Sequence, residues 1–285
     1  MDSSLIEKIE EVAIGALRTT RQIHEELGTC GEETVQKNQF GENSLRMDVE
    51  AEKVIIDAFL KARIPIRIKS EEHGTVEIGE EPTCLGVLDG LDGSGVYRKA
   101  RGKGRYGTMF GIFSNLDPCY DEYLFSGIME HTTNRLFFSS KGKGSFMVVN
   151  GIKRPIKCSG ALRLGKQTRI YIDEGVESNK TLFSKRLGGF NTFYLGSSAV
   201  YYADMASGNA DLVLECTRKG SLEIAVAYGL IRESGGVMVT MDGNDLGGRK
   251  YLSFGQDTHI PVVTASTSQL AQDLIDYVNR IESGF

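Results

Sequence analysis

Cys84-Leu85-Gly86-Val87-Leu88-Asp89-Gly90-Leu91-Asp92-Gly93-Ser94 is the stretch on which the reading of this chain turns. Its first five residues form a short apolar run, which reads as a buried strand. The run ends in Asp89, and a second carboxylate, Asp92, follows three residues later on a glycine-bearing turn. Two carboxylates so placed can converge on hard cations, whose preferred ligands are oxygens. Gly93 and Ser94 then offer backbone N–H groups, and Ser94 a hydroxyl, where a phosphate can rest beside those cations. Asp and Gly are also common turn residues, so Asp89 to Ser94 taken alone reads equally well as an Asx-turn.

Two further acidic segments shift that balance. Ile64, Ile66 and Ile68 alternate as a strand does, with Pro65 suggesting an edge, and Ser70-Glu71-Glu72-His73-Gly74 follows at the strand's end. Sites in α/β proteins gather at such ends, although a solvated loop is the plainer reading of Glu71 and Glu72 alone. Downstream, Leu222-Glu223-Ile224-Ala225 opens a predicted helix that closes in Glu233-Ser234-Gly235-Gly236. Glu223 lies among apolar residues, where an unpaired carboxylate is costly. By itself it reads as a charge favouring a helix N-terminus.

The rest of the chain supplies the frame. Ser4 and Glu7 have capping-box spacing, and a helix with Leu5, Ile9, Val12, Ala16 and Ile23 on one side runs to Gly28. The stretch 29–42 is polar and reads as a loop, and a second helix is expected over about 49–60. Strands are expected at 107–113, 124–130, 134–139 and 145–149. The second half then alternates: strand 169–172, helix 198–206, strand 212–214, helix 222–233, strands 236–241 and 262–265, and a final helix 268–281. Gly102-Lys103-Gly104-Arg105-Tyr106-Gly107 fits a dinucleotide fingerprint in spelling only, because a strand rather than a helix follows it. Lys99, Arg101, Lys103 and Arg105 read as a solvated basic loop, with a contribution to an anionic ligand as the alternative. Tyr201 and Tyr202 read as core or interface aromatics.

Composition narrows the class. Of 285 residues 40% are hydrophobic and 25% charged, which suits a folded enzyme-like chain. A formal net charge of −5 argues against binding nucleic acid through its backbone, but not against a small phosphate held by local cations. The five cysteines form no C-x-x-C pair, so we expect reduced thiols, no structural zinc and a cytoplasmic location. No apolar stretch approaches the roughly 20 residues of a membrane span.

Together the acidic segments resemble the inositol monophosphatase family, within the superfamily that also holds fructose-1,6-bisphosphatases and nucleotide 3′-phosphatases. The family's central Asp-Pro-Ile/Leu-Asp-Gly-Ser/Thr is matched by Asp89 to Ser94, with Gly90 in place of proline. Its Gly-Glu-Glu is similar to Ser70-Glu71-Glu72, and its Trp-Asp…Glu-Ala-Gly-Gly is similar to Leu222-Glu223 through Gly236. Gly142 to Phe146, Asn150-Gly151, Gly196 to Ala199 and Ala206 to Gly208 also fall in order. The resemblance thus covers nearly the whole chain.

It implies a layered α-β-α-β-α sandwich forming one unit over 1–285, with an α+β part to about residue 157 and an α/β part after it. It implies an Mg²⁺-dependent phosphatase using two or three ions, acting on a small phosphorylated metabolite such as inositol monophosphate or a sugar phosphate. A fructose-1,6-bisphosphatase, a phosphatase of 3′-phosphoadenosine 5′-phosphate, and a family member serving as a regulatory binding protein are the alternatives. Glu71, Asp89, Asp92, Glu223 and the Leu91 carbonyl would hold the metals, Glu223 standing where most inositol phosphatases have aspartate. Ser94 and Asp48 would orient the attacking water with Glu71. Gly93 and Ser94 would take the phosphate, and Gly196, Ser197, Ser198 and Glu215 would line the alcohol side. A homodimer, with no membrane or nucleic-acid partner, is the family-level expectation.

Overall fold

The computed structural model describes residues 2–283. In chain order its helices and strands are α1 (Ser3–Leu27), β1 (Thr34–Lys37), β2 (Asn43–Leu45), α2 (Arg46–Ala62), β3 (Ile66–Ser70), β4 (Gly74–Ile78), β5 (Cys84–Asp92), α3 (Ser94–Ala100), β6 (Gly107–Phe113), β7 (Tyr123–Glu130), β8 (Arg135–Ser140), β9 (Gly144–Val149) and β10 (Ile152–Ile156). The second half continues with β11 (Arg169–Ile172), α4 (Glu177–Asn179), β12 (Asn191–Phe193), α5 (Ser198–Ala206), β13 (Leu212–Cys216), α6 (Leu222–Glu233), β14 (Val237–Thr240), β15 (Pro261–Ala265) and α7 (Ser268–Ser283).

Two sheets organise these elements. One has eight strands in the order β10-β9-β8-β7-β6-β5-β3-β4, antiparallel except for the β3–β5 pair. The other has five, in the order β12-β11-β13-β15-β14, with β11 parallel to both of its neighbours. Each face is buried because the residues that point to it are apolar. Ile9, Ala13, Leu17, Ile55 and Phe59 of α1 and α2 close over Ile66, Ile68, Phe110 and Leu136 on one side of the large sheet. Tyr201, Tyr202, Val226 and Leu230 of α5 and α6 fill the space between the two sheets, against Val87, Met109, Ile128 and Val213. Leu270, Leu274 and Val278 of α7 cover the outer side of the small sheet. The layers therefore run helix, sheet, helix, sheet, helix, as the resemblance implies.

Several local readings need correction. Asp2, not Ser4, caps α1: it accepts from the Ser4 hydroxyl at 2.6 Å, and Gly28 ends the helix as expected. The stretch read as a loop after Gly28 contains β1, which pairs with β2 as a small hairpin whose first strand is exposed at every position. Such a strand has no apolar alternation to betray it. β3 is not an edge, because it lies between β4 and β5. Pro65 sits just before its first residue, where a missing N–H breaks no ladder bond. α2 begins at Arg46, three residues ahead of the expected start, and this places Asp48 in its first turn. The basic run is partly consumed: Arg101 pairs with Glu32, and Arg105 with Glu130 and Asp204. Tyr201 and Tyr202 are core residues. Among the described residues the cysteines are all free, and no helix is long and apolar enough to cross a membrane.

Candidate metal centre

The centre is built where β5 ends. Residues three apart on a regular strand point to opposite faces. Here the ladder places Asp89 opposite Met109 and Asp92 opposite Gly107, so β5 carries one residue more than β6 across that interval. This bulge turns both carboxylates to one side. Glu223 reaches them from the first turn of α6, in the next layer. Carboxylate oxygens of Asp89, Asp92 and Glu223 all lie within 4.8 Å of one another.

Each acid is held by its own local contacts. Asp92 accepts from the Ser197 hydroxyl at 2.5 Å and the Ala199 amide at 2.7 Å, which ties β5 to the start of α5. Asp89 accepts from the Leu91 amide at 2.9 Å. Glu71 follows β3, whose parallel pairing with β5 brings the two strand ends together, and its amide donates to the Leu88 carbonyl at 3.2 Å. The side chain of Asn38 donates to Glu71 at 3.2 Å. Glu52, fully buried on α2, accepts from the Glu72 and His73 amides, the Ser70 hydroxyl and the His73 ring, and so clamps the turn that carries Glu71.

Burial and like charge make this a strained group of anions. Burial first, then the charges of Glu71, Asp92, Glu223 and Asp48, hold the Asp89 carboxyl well above the ordinary carboxylate range. Burial and Glu223 push Asp92 up to about 7, against the lowering effect of Ser197. Burial, with Glu71 and Glu72 next, likewise raises Asp48, whose carboxylate accepts from the Leu45 amide. A concentration of carboxylate oxygens whose negative forms repel one another is a donor set suited to a hard cation.

A cavity of about 400 Å³ opens over this group. Its wall includes Glu71, Asp89, Leu91, Asp92, Gly93, Ser94, Gly196, Ser197, Ser198 and Glu223, which places ten of the twelve sequence-derived site residues together. Gly93 has φ +88°, and an added Cβ would come within 2.8 Å of Ser197, so its backbone packs closely against the opposite wall. Gly196 is fixed by Tyr201, whose hydroxyl accepts from the Leu195 and Gly196 amides.

Two residues lie elsewhere. Asp48 sits behind the wall in α2, felt by Asp89 as charge. Glu215 is also behind the wall, where it accepts from Ser198 and from Tyr202, and burial lifts it to about 8. It therefore backs Ser198 rather than lining the alcohol side. The wall also holds residues that were not anticipated as part of the site, among them Asp173 just after β11, Tyr194, and Arg218 between β13 and α6. An acid directly after an apolar strand, the signal that exposed Asp89, was also present at Asp173.

The family model described as the Inositol monophosphatase family matches residues 3–282. Among solved structures the chain is similar to the IMPase of Thermotoga maritima, at TM-score 0.75 and 17% identity over 96% of this chain and 97% of that one. It is similar to the extragenic suppressor protein suhB of Bartonella henselae, at TM-score 0.74 and 18% identity over 99% and 100%. A gene product described as inositol monophosphatase-fructose 1,6 bisphosphatase superposes at TM-score 0.72 and 20% identity over 94% and 98%. No curated protein matches the chain.

Proposed function

This chain belongs to the inositol monophosphatase family, and from that premise we propose that it is an Mg²⁺-dependent phosphatase of small phosphate monoesters, such as inositol monophosphate or a sugar phosphate. The observation that carries the reading is the convergence of Asp89, Asp92 and Glu223 oxygens within 4.8 Å at the foot of a cavity. Asp89, Asp92, Glu223, Glu71 and the Leu91 carbonyl would hold the cations. Bound Mg²⁺ supplies a water of lowered pKa and positive charge against the phosphate.

The chain's own groups then set the geometry. Glu71, held by its clamped turn, and Ser94 orient the attacking water for in-line approach to phosphorus, with Asp48 acting on the group through its charge on Asp89. The amides of Gly93 and Ser94, fixed at the start of α3, take phosphate oxygens and favour the charge that develops there. Ser197 and Ser198, whose hydroxyls donate to Asp92 and Glu215, offer their oxygens as acceptors to hydroxyls of the leaving alcohol. Asp92 is kept in register by Ser197 and Ala199, so the phosphate side and the alcohol side share one rigid support.

The test is phosphate release from a panel of inositol 1-phosphate, fructose 1,6-bisphosphate, 3′-phosphoadenosine 5′-phosphate and other sugar phosphates, with Mg²⁺ and with EDTA. Release that needs Mg²⁺ supports the reading, and the preferred ester decides among the alternatives. Rates that are equal with and without chelator refute it. Binding of a protein partner without any release favours the regulatory alternative.

A further inference from the structure

The cavity over the carboxylates does not end at its alcohol side. It adjoins a second cavity of about 550 Å³, and Glu42, Gly175 and Arg218 line both. Phe40, Val176 and Gln256 add to the outer walls, with Glu177, Asp257 and His259 on the exposed rim, so that Arg218 marks the inner end where an anion would be held. Among the described residues, Arg218 is the one cationic side chain on the inner wall.

Arg218, its side chain 28% exposed, is matched in charge, but among the described residues it donates no hydrogen bond to a side chain. Its guanidinium stands 3.6 Å from Glu223 and 3.8 Å from Asp173, distances that pair charges without forming hydrogen bonds. Asp173 shows the complementary deficit. It is buried, one oxygen accepts from the Gly175 amide at 2.9 Å, and the other, Oδ2, has no hydrogen-bond partner among the described residues. Unsatisfied polar capacity of this kind is costly unless a ligand or water meets it. A guanidinium fork suits a phosphate or a carboxylate in particular. An oxyanion beside a hydroxyl answers both deficits at once, the oxyanion accepting from Arg218 and the hydroxyl donating to Asp173.

Resting on the phosphatase reading, we propose that Arg218 and Asp173 form a subsite for the leaving group, so that the preferred substrate is a phosphate monoester whose alcohol carries a second anionic group. That group is a second phosphate or a carboxylate, and it extends toward the outer cavity. Arg218 reads its charge, and Asp173 a neighbouring hydroxyl.

The experiment compares three matched sugar esters: a monophosphate, the same sugar with a second phosphate, and the same sugar with a carboxylate. Wild type, Arg218→Gln and Arg218→Lys are assayed in Mg²⁺. Wild type is expected to favour a doubly anionic ester at least about tenfold in kcat/KM, and the better of the two identifies the second anion. Arg218→Gln is expected to collapse that preference to within about threefold, chiefly through KM, and Arg218→Lys to restore part of it. Calorimetric binding of the dephosphorylated products provides a readout independent of turnover: wild type binds the anionic product and Arg218→Gln loses it. No preference in wild type, or a preference that survives Arg218→Gln with product binding unchanged, overturns the subsite. If no ester in the panel is hydrolysed, the phosphatase reading fails, and product binding still decides on the subsite.

Discussion

Gly90 offers the sharpest test of how the centre is held. It lies within the bulge between Asp89 and Asp92, and a Cβ built there would sit 2.3 Å from the Asp48 carbonyl oxygen and 2.9 Å from Glu52 Cγ. Both obstacles are rigid. The first is backbone in the opening turn of α2, and the second is a buried side chain held by four donors from the Glu71 turn. Gly90→Ala must therefore separate α2 from β5, at the cost of about 1–3 kcal/mol typical of overpacking. With unfolding entropy near 2.1 cal/mol/K per residue, a chain of this length loses about 2–5 °C in Tm for that cost. The same displacement moves Asp48 and the Glu71 turn relative to Asp89, and a shift of about 1 Å at a reacting centre costs up to about a hundredfold in rate. Calorimetric melting and phosphate release measure the two effects. Gly90→Pro, which installs the residue of the family pattern, is expected to be no better, because proline also carries a Cβ. A Gly90→Ala protein that melts within 1 °C of wild type at an unchanged rate would refute the close-approach argument.

Asp89→Asn is expected to reduce turnover by about three orders of magnitude, since metal-centred charge stabilisation supplies several kcal/mol, while Tm in EDTA does not fall. A fully active variant would place the centre elsewhere. Glu223→Gln is expected to raise the Mg²⁺ concentration needed for half-maximal activity about tenfold or more with a small change in Tm; unchanged metal dependence would reduce Glu223 to a helix-end charge. The metal-free protein is expected to lose stability as pH rises from 6.5 to about 8.5. Asp92 and Glu215, raised to about 7 and about 8, hold protons in the fold that the unfolded chain has already released. Buried His24, lowered to about 4, acts below that window. Melting in EDTA across the range checks the sign, and a Tm that climbs would contradict it.

What the sequence disclosed follows from how local each signal is. α5 and α6 begin and end where their patterns say, because both are apolar along nearly their whole length and bounded by serines and glycines. Asp89 was legible because it closes the apolar run of β5, whereas Asp92 and Glu71 stood out only through the resemblance of their segments to the family's. β4 was missed because it is an edge with a half-exposed pattern, and β1 because it is exposed throughout. Asp173 and Arg218 were missed for a different reason. Their place in the centre depends on the second sheet turning its strand ends toward the first, a tertiary fact: Asp173 carried the local mark of an acid after an apolar strand, and Arg218 carried none. Glu215 shows the converse, where a correct neighbourhood left the direction of the side chain unknown.

The molecule also contains its own control for the metal reading. Glu130 and Asp204 are buried carboxylates too, yet the chain neutralises them itself: Arg105 meets them at 2.5 and 2.7 Å, and Arg135 meets Glu130 at 2.6 Å. That is how a fold treats acids whose work is structural, since an unpaired buried charge is costly. At the end of β5 the same fold gathers Asp89, Asp92 and Glu223, and among the described residues the cation on that cavity wall is Arg218, 3.6 Å from Glu223. Among the described residues Asp89 accepts from an amide, and Asp92 from a hydroxyl and an amide. For Asp89 and Asp92, buried like Glu130 and Asp204, the difference lies in the cations that the described residues supply; Glu223 is only part-buried. Acids held this rigidly, on elements from two layers and short of protein counter-charge, are arranged for a cation from solution. The hydrogen bonds that hold them in place are what convert the electrostatic cost of gathering them into affinity for that cation.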